Sequence, residues 1–247
     1  MSYKTTILIP ARMESTRFPG KPLAPIEGIP MIVYCARNAI ATGLETYVCT
    51  DSKEIQAVCN LYNIKSIITS ECETGTDRIA EAMGYIDSDF FINYQGDEPL
   101  IDSESLNSLI DMIPLLVKEE DTIITCVSCI DSKEAFDPTN VKCAIIRNQN
   151  RIQYFSRKPL LNSSSIENKE KYYKQIGVYA LSRKNLKKFS ELSQGELEKA
   201  EKVELMRWLE NGKNIACCFF QNSSISVDTP QNLVEVLALL EQKNSES

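Results

Sequence analysis

The stretch Thr5 to Leu23, TTILIPARMESTRFPGKPL, runs from a short apolar segment into a loop holding Arg12, Arg17 and Lys21. The whole chain carries a formal charge of -7, so three cations gathered on one loop point to a small polyanion, of which phosphate is the commonest. The loop is neither GxxxxGK[ST] nor GxGxxG; what remains is A-R-x4-R-x-x-G-K-P, in which Gly20 lets backbone approach a ligand beside Lys21. A second candidate is QGDEP at 95–99, where Asp97 follows an apolar strand-like run. A third is Asp228 in SVDTP. Hard cations such as Mg²⁺ take one or two carboxylates plus substrate phosphates, so Asp97 and Asp228 beside a cationic loop make a metal-and-phosphate site. TGTDR at 74–78 adds Gly75 and Thr76 for backbone and hydroxyl contacts and Arg78 as a charged donor. Each has a plainer alternative. The loop cations pair with acidic neighbours, Asp97 and Glu98 form a turn before Pro99, Asp228 caps a helix, and Thr76 or Asp77 caps another.

The chain has no histidine, which excludes Ser-His and Cys-His nucleophile pairs and histidine metal sites. Catalysis then rests on carboxylates, Lys, Arg and a hard metal ion. At 247 residues, with 43% hydrophobic and 25% charged content, the chain has the composition of a globular protein with a substantial core. A pI near 4.9 argues against a general binder of nucleic acid or of acidic membranes. MSYKTTILIP lacks the features of a signal peptide, and no apolar run approaches the ~20 residues that span a bilayer. A cytoplasmic protein is expected. Nine cysteines, Cys217 and Cys218 adjacent among them, sit in apolar contexts and read as reduced, core-filling thiols. Cys126 and Cys129 form a CxxC, but on a strand such positions face opposite ways, and zinc would want a second ligand pair.

These residues need elements to hold them. A strand is expected at about 5–9. Pro30 opens a helix over MIVYCARNAIATG that Gly43 closes, and ETYVCTD follows as a strand. Asp51 with Glu54 reads as a capping box for a helix bearing Ile55, Val58, Cys59 and Tyr62 on one face. SIIT is a strand, about 76–85 a helix, DFFINYQGDEP a strand into an acidic turn, 103–117 a helix and TIITCVSCI a strand. This alternation predicts an α/β fold with a mostly parallel central sheet and helices on both faces. Ligands of such sheets bind beyond the carboxyl ends of the strands, where loops 10–22 and 95–99 both fall. In the second half, VKCAIIRNQNRIQYFS reads as a hairpin turning at Asn148 to Asn150, and 162–171 as a polar surface loop. KQIGVYALS and NIACCFF are strands, with helices near 183–191, 196–211 and 230–242. With no internal repeat or linker, one domain over 1–247 is expected.

The assembled motifs resemble the CMP-Kdo synthetase (3-deoxy-manno-octulosonate cytidylyltransferase) family, nearly end to end. The resemblance is carried by IPAR, STRFPGKPL, GIPMI, TGTDR, NYQGDEP, FDPTNVK, YFSR, QIGVYAL, ELMRWLENGK and VDTP. It implies a nucleotidyltransferase-like fold that moves CMP from CTP to the acidic eight-carbon sugar Kdo. By resemblance, Arg12 and Lys21 contact the CTP triphosphate, with Ser15 and Arg17 in lesser roles, and Gly75, Thr76 and Arg78 hold cytosine and ribose. Asp97 and Asp228 bind Mg²⁺, which with Lys21 and Arg12 makes up the catalytic set. Gln95, Arg157, Tyr179 and Glu204 gather the sugar. Family members are homodimers pairing through the second half, which would account for its hairpin strands.

One position departs from the pattern: where family members read HLG(I/V)Y, this chain reads QIGVY, with Gln175 in place of histidine near the sugar. Glutamine donates and accepts hydrogen bonds but carries no charge, so a modified sugar such as the 8-amino form is an alternative substrate. A reading from another class, a metal-dependent glycosyltransferase or a nucleotide-sugar binding protein without turnover, is disfavoured by the turn: it is Gly-Asp-Glu, not Asp-x-Asp.

Overall fold

The computed structural model describes residues 3–160, 172–221 and 224–246. The chain divides into two compact units, one made of the residues up to Asn107 together with those from Ser224 onward, the other of Ser108–Ser223. The loop expected at 162–171 lies outside the described residues.

In the first unit, Thr5–Ala11 (β1) is followed by a two-strand ribbon, Pro25–Ile26 (β2) and Ile29–Pro30 (β3). Met31–Ile40 (α1), Glu45–Thr50 (β4), Lys53–Leu61 (α2), Ser66–Ile68 (β5), Gly75–Ala82 (α3) and Phe90–Tyr94 (β6) come next. The strands stand in the order β5-β4-β1-β6, and every pair is parallel. Ile7, Leu8 and Ile9 of β1 and Phe91 and Ile92 of β6 are fully buried, which is why both strands read as continuous apolar runs rather than alternating ones. The chain winds from β1 outward to β5, then crosses to β6 on β1's other side. That reversal places the loops after β1 and β6 side by side at the carboxyl edge, where such sheets bind ligands.

Ser103–Ile110 (α4) carries the chain towards the second unit, which holds Ile113–Lys118 (α5), Thr122–Ile130 (β7) and Ser132–Phe136 (α6). Lys142–Ile146 (β8) and Arg151–Ser156 (β9) form the expected antiparallel hairpin. Tyr172–Ser182 (β10), Arg183–Glu191 (α7), Glu196–Glu201 (α8), Met206–Glu210 (α9) and Asn214–Phe220 (β11) complete it. Among the described strands here, β7 and β11 are parallel, whereas β10 runs antiparallel to β7, and β9 to β11. The parallel character therefore belongs to the first unit, and the second is mixed. Pro230–Glu246 is the final helix.

Several element boundaries differ from those the sequence predicts. Ser52, not Asp51, caps α2, its Oγ accepting from the Ile55 amide at 3.3 Å. Thr74, not Thr76 or Asp77, caps α3, accepting from the Asp77 amide at 3.1 Å. Pro30 precedes the first turn of α1 instead of lying in it. The helix expected over 103–117 is two, the second starting at Ile113 with Pro114 in its first turn. Proline lacks the amide that a continuous helix would need there. Likewise 196–211 is interrupted at Lys202, which ends α8 in the left-handed region at φ 54°. Cys126 is buried and Cys129 exposed, as strand geometry requires of the CxxC, and all nine cysteines are free thiols.

Candidate functional site

Gly20 adopts φ 71° and starts a single 3₁₀ turn, Lys21–Leu23, that sets the direction of the Lys21 side chain. The Lys21 ammonium donates to Asp97 Oδ2 at 2.6 Å and to Asp228 Oδ1 at 3.4 Å. Arg17 reaches the same Asp228 oxygen at 3.0 Å. Burial alone would lower the pKa of Lys21, but the charges and hydrogen bonds of Asp97 and Asp228 outweigh it and leave the pKa raised. The ammonium is therefore fully charged at neutral pH. The main-chain oxygen of Asp97 accepts from the Val227 amide at 2.8 Å, tying the turn after β6 to the segment that carries Asp228.

A cavity of about 780 Å³ opens over this cluster. Arg12, Ser15, Arg17, Lys21, Gly75, Arg78, Gln95, Asp97 and Asp228 all line it. Nine residues expected at a site from the sequence thus share one wall of the first unit. Thr76 is the exception in this unit: it is fully buried and its hydroxyl accepts from Asn93 Nδ2 at 3.4 Å, behind the cavity wall. Gly75 is there for closeness. A Cβ on it would lie 2.9 Å from Gln95 Nε2 and 3.2 Å from Pro10 Cγ, so any larger residue would press on the Gln95 side chain.

The guanidinium of Arg78 is 3% exposed, donating to Asp51 Oδ2 at 2.5 Å, to Thr69 Oγ1 at 2.6 Å and to the Ser70 carbonyl at 3.2 Å. The sequence pattern offers Asp51 only as a helix cap. Its site neighbour lies 27 positions away, and no local sequence pattern signals such a pair.

The remaining sugar candidates belong to the second unit. Tyr179 is buried and its hydroxyl donates to Glu204. The Arg157 guanidinium donates to the carbonyls of Thr139 at 2.6 Å, Glu201 and Lys202 at 3.2 Å each, and Pro138 at 3.4 Å. Lys142, 1% exposed, donates to the carbonyls of Arg157, Asp137 and Asn140, and its burial lowers its pKa. Gln175 lies in β10 opposite Val127, with its amide donating to the Val141 carbonyl at 2.8 Å and its side chain half-buried.

Asp97 and Asp228 fit a hard divalent cation: both carboxylates reach one ammonium, so their oxygens converge on a point already holding positive charge. Among the described residues no three His, Cys, Asp or Glu side chains gather as a metal cage, so any cation here would draw further ligands from substrate and water. No helix among the described residues is long and apolar enough to cross a membrane.

Comparison with known proteins gives a consistent picture. A family model described as cytidylyltransferase matches residues 6–215. The chain is 40% identical over 234 residues to the 8-amino-3,8-dideoxy-manno-octulosonate cytidylyltransferase of Shewanella baltica, covering 92% of this chain and 95% of the relative. It is 38% identical over 240 residues to the 3-deoxy-manno-octulosonate cytidylyltransferase of Chlorobium limicola, covering 95% and 96%. Among solved structures, a CMP:2-keto-3-deoxy-manno-octonic acid synthetase complexed with CTP superposes with a TM-score of 0.87 at 34% identity, covering 97% of this chain and 99% of that one.

Proposed function

Because the chain belongs to the cytidylyltransferase family, we propose that it transfers CMP from CTP to the anomeric 2-hydroxyl of Kdo, or of the 8-amino-3,8-dideoxy form, releasing pyrophosphate. The observation that carries this reading is the single cavity in which the cationic loop, Arg78, Asp97 and Asp228 meet around Lys21. The sugar hydroxyl oxygen attacks the α-phosphorus of CTP and forms the new O–P bond. The bond from that phosphorus to the α,β-bridging oxygen breaks, and pyrophosphate takes the electron pair. The hydroxyl proton passes to solvent. Such transfers are catalysed chiefly by positioning and charge stabilisation, which explains how a chain without histidine performs one.

Arg12 and Arg17 are exposed on the loop and suit the triphosphate, with Ser15 beside them. Lys21, held charged, offsets the negative charge that builds on the phosphates in the transition state. Arg78, immobilised by Asp51, and Gly75 present donors and close backbone to cytosine and ribose. Asp97 and Asp228 would hold Mg²⁺, and the ion would neutralise phosphate charge and acidify the sugar hydroxyl. The sugar falls to Gln95, Arg157, Gln175, Tyr179 and Glu204. The same reading carries a second copy of the chain paired through the second half, a cytoplasmic setting, and use of the product in lipopolysaccharide or related surface-sugar synthesis.

Two sugars stand as substrates because relatives of both specificities match the chain over similar lengths. The deciding experiment measures pyrophosphate release from CTP with purified Kdo and its 8-amino analogue, giving kcat/KM for each. CTP should outcompete ATP, GTP and UTP. Comparable turnover with ATP or GTP, or none with either sugar, would remove this reading.

A further inference from the structure

Glu98 follows Asp97 directly, is 2% exposed, and has no part in the chemistry above. A carboxylate this deeply buried is tolerated only when hydrogen bonds replace its water. Both of its oxygens are engaged from the same stretch of chain: Ser224 donates to Oε2 at 2.7 Å and Ser226 to Oε1 at 2.5 Å. From the other side, the buried Tyr94 hydroxyl donates to the Glu98 carbonyl at 2.8 Å and fixes its backbone. The sequence Ser224-Ile225-Ser226-Val227-Asp228 alternates polar and apolar, and Val227 is fully buried. Two serines two positions apart reach one carboxylate, so alternate residues of this stretch face the same side. The next residue in that series is Asp228, which meets Lys21 at 3.4 Å and Arg17 at 3.0 Å.

We infer that Glu98 is a positioning residue: the Ser224–Glu98–Ser226 clasp fixes the register of the segment 224–228 so that Asp228 converges with Asp97 on the catalytic cation site. A slip of one residue would present Val227 or Thr229 there in place of Asp228, and two hydroxyls bound to two oxygens of one buried group forbid that slip. The Val227 amide on the Asp97 carbonyl, between the second serine and Asp228, closes the same stitch. The inference rests on the reading of Asp97 and Asp228 as the pair that holds Mg²⁺ against the phosphates.

The test compares Ser226→Ala, which removes one donor, with Ser226→Thr, which keeps a hydroxyl at this exposed position, and with Glu98→Gln. One readout is independent of turnover: the hydrogen-exchange rate of the Val227 amide. The other is the Mg²⁺ concentration giving half-maximal pyrophosphate release at saturating CTP. Ser226→Ala should speed Val227 exchange by roughly tenfold or more, as expected for losing a hydrogen bond to a charged group. It should raise the half-saturating Mg²⁺ by about tenfold, the usual effect of removing a support behind a metal ligand, while kcat at saturating Mg²⁺ stays nearly unchanged. Ser226→Thr should restore both. An unchanged Mg²⁺ requirement in Ser226→Ala and Glu98→Gln alike overturns the inference, whatever the Val227 amide does. Asp228→Asn serves as the separate control. If it leaves the Mg²⁺ requirement untouched, the inference falls because the carboxylate reading beneath it has failed, and Val227 exchange in the serine variants still reports the clasp itself.

Discussion

Asp51 and Arg78 meet at 2.5 Å across the first unit, the guanidinium 3% exposed and the carboxylate 31%. The pair couples the end of β4 to the first turn of α3, and Arg78 is the one buried cation among the described residues lining the cavity. Removing Asp51 would leave that guanidinium buried without a counter-charge from this pair, donating to Thr69 and the Ser70 carbonyl. Breaking a fully buried pair costs about 3–5 kcal/mol; with Asp51 nearly a third exposed, about 1–3 kcal/mol is expected for Asp51→Ala. The melting temperature should fall by several degrees and the KM for CTP should rise, because Arg78 loses its fixed orientation. Differential scanning calorimetry and CTP saturation curves check both, and an unchanged melting temperature would mean the pair is idle.

Lys21 sets a pH dependence. Its pKa is raised above the ordinary 10.5 in the folded protein, since Asp97 and Asp228 outweigh the opposing effect of burial. A raised pKa means that its stabilisation is fully present below 10.5 and is lost as pH climbs through the folded value. The stability difference between the wild type and Lys21→Met should therefore hold constant up to about pH 10 and change only beyond it. Urea melts of both proteins from pH 7 to 11 would reveal a difference that drifts in the neutral range, contrary to this expectation.

Asp97→Asn keeps size and removes one negative charge facing Lys21. The main-chain bond from Val227 to the Asp97 carbonyl does not depend on that side chain, so the fold should persist. Turnover should fall by about 10²–10³, the range for losing one contact that matters in the transition state. Near-full activity with Mg²⁺ would reduce Asp97 to a turn residue.

Gln175→His addresses the sugar. The half-buried side chain leaves β10 without charge of its own. A histidine adds a ring and, when protonated, a positive charge. Towards plain Kdo the variant should be neutral or mildly better, and towards the 8-amino sugar worse, because cation repels ammonium. The ratio of kcat/KM for the two sugars, measured on both proteins, should move towards Kdo; a constant ratio would show that Gln175 does not read the amine.

What the sequence alone determined here is local. Apolar runs such as Ile7–Ile9, turn residues such as Gly20, and strings such as QGDEP and TGTDR are each set by their near neighbours. From them came the strand–helix alternation, the hairpin 142–156 and the residues of the cationic loop. At the start of α2 two adjacent polar residues, Asp51 and Ser52, compete for one role, and a tertiary contact chooses between them. Asp51 is drawn to Arg78, so Ser52 is left to cap α2. Only the tertiary structure decided what meets what. Lys21 joins Asp97 and Asp228 across 76 and 207 positions, and Glu98 takes its serines from 126 and 128 positions away. No periodicity spans such separations. They follow from the strand order, which sets β6 beside β1 and so brings two distant loops to one edge of the sheet. They follow too from the burial of Glu98, which had to find donors wherever the fold supplied them.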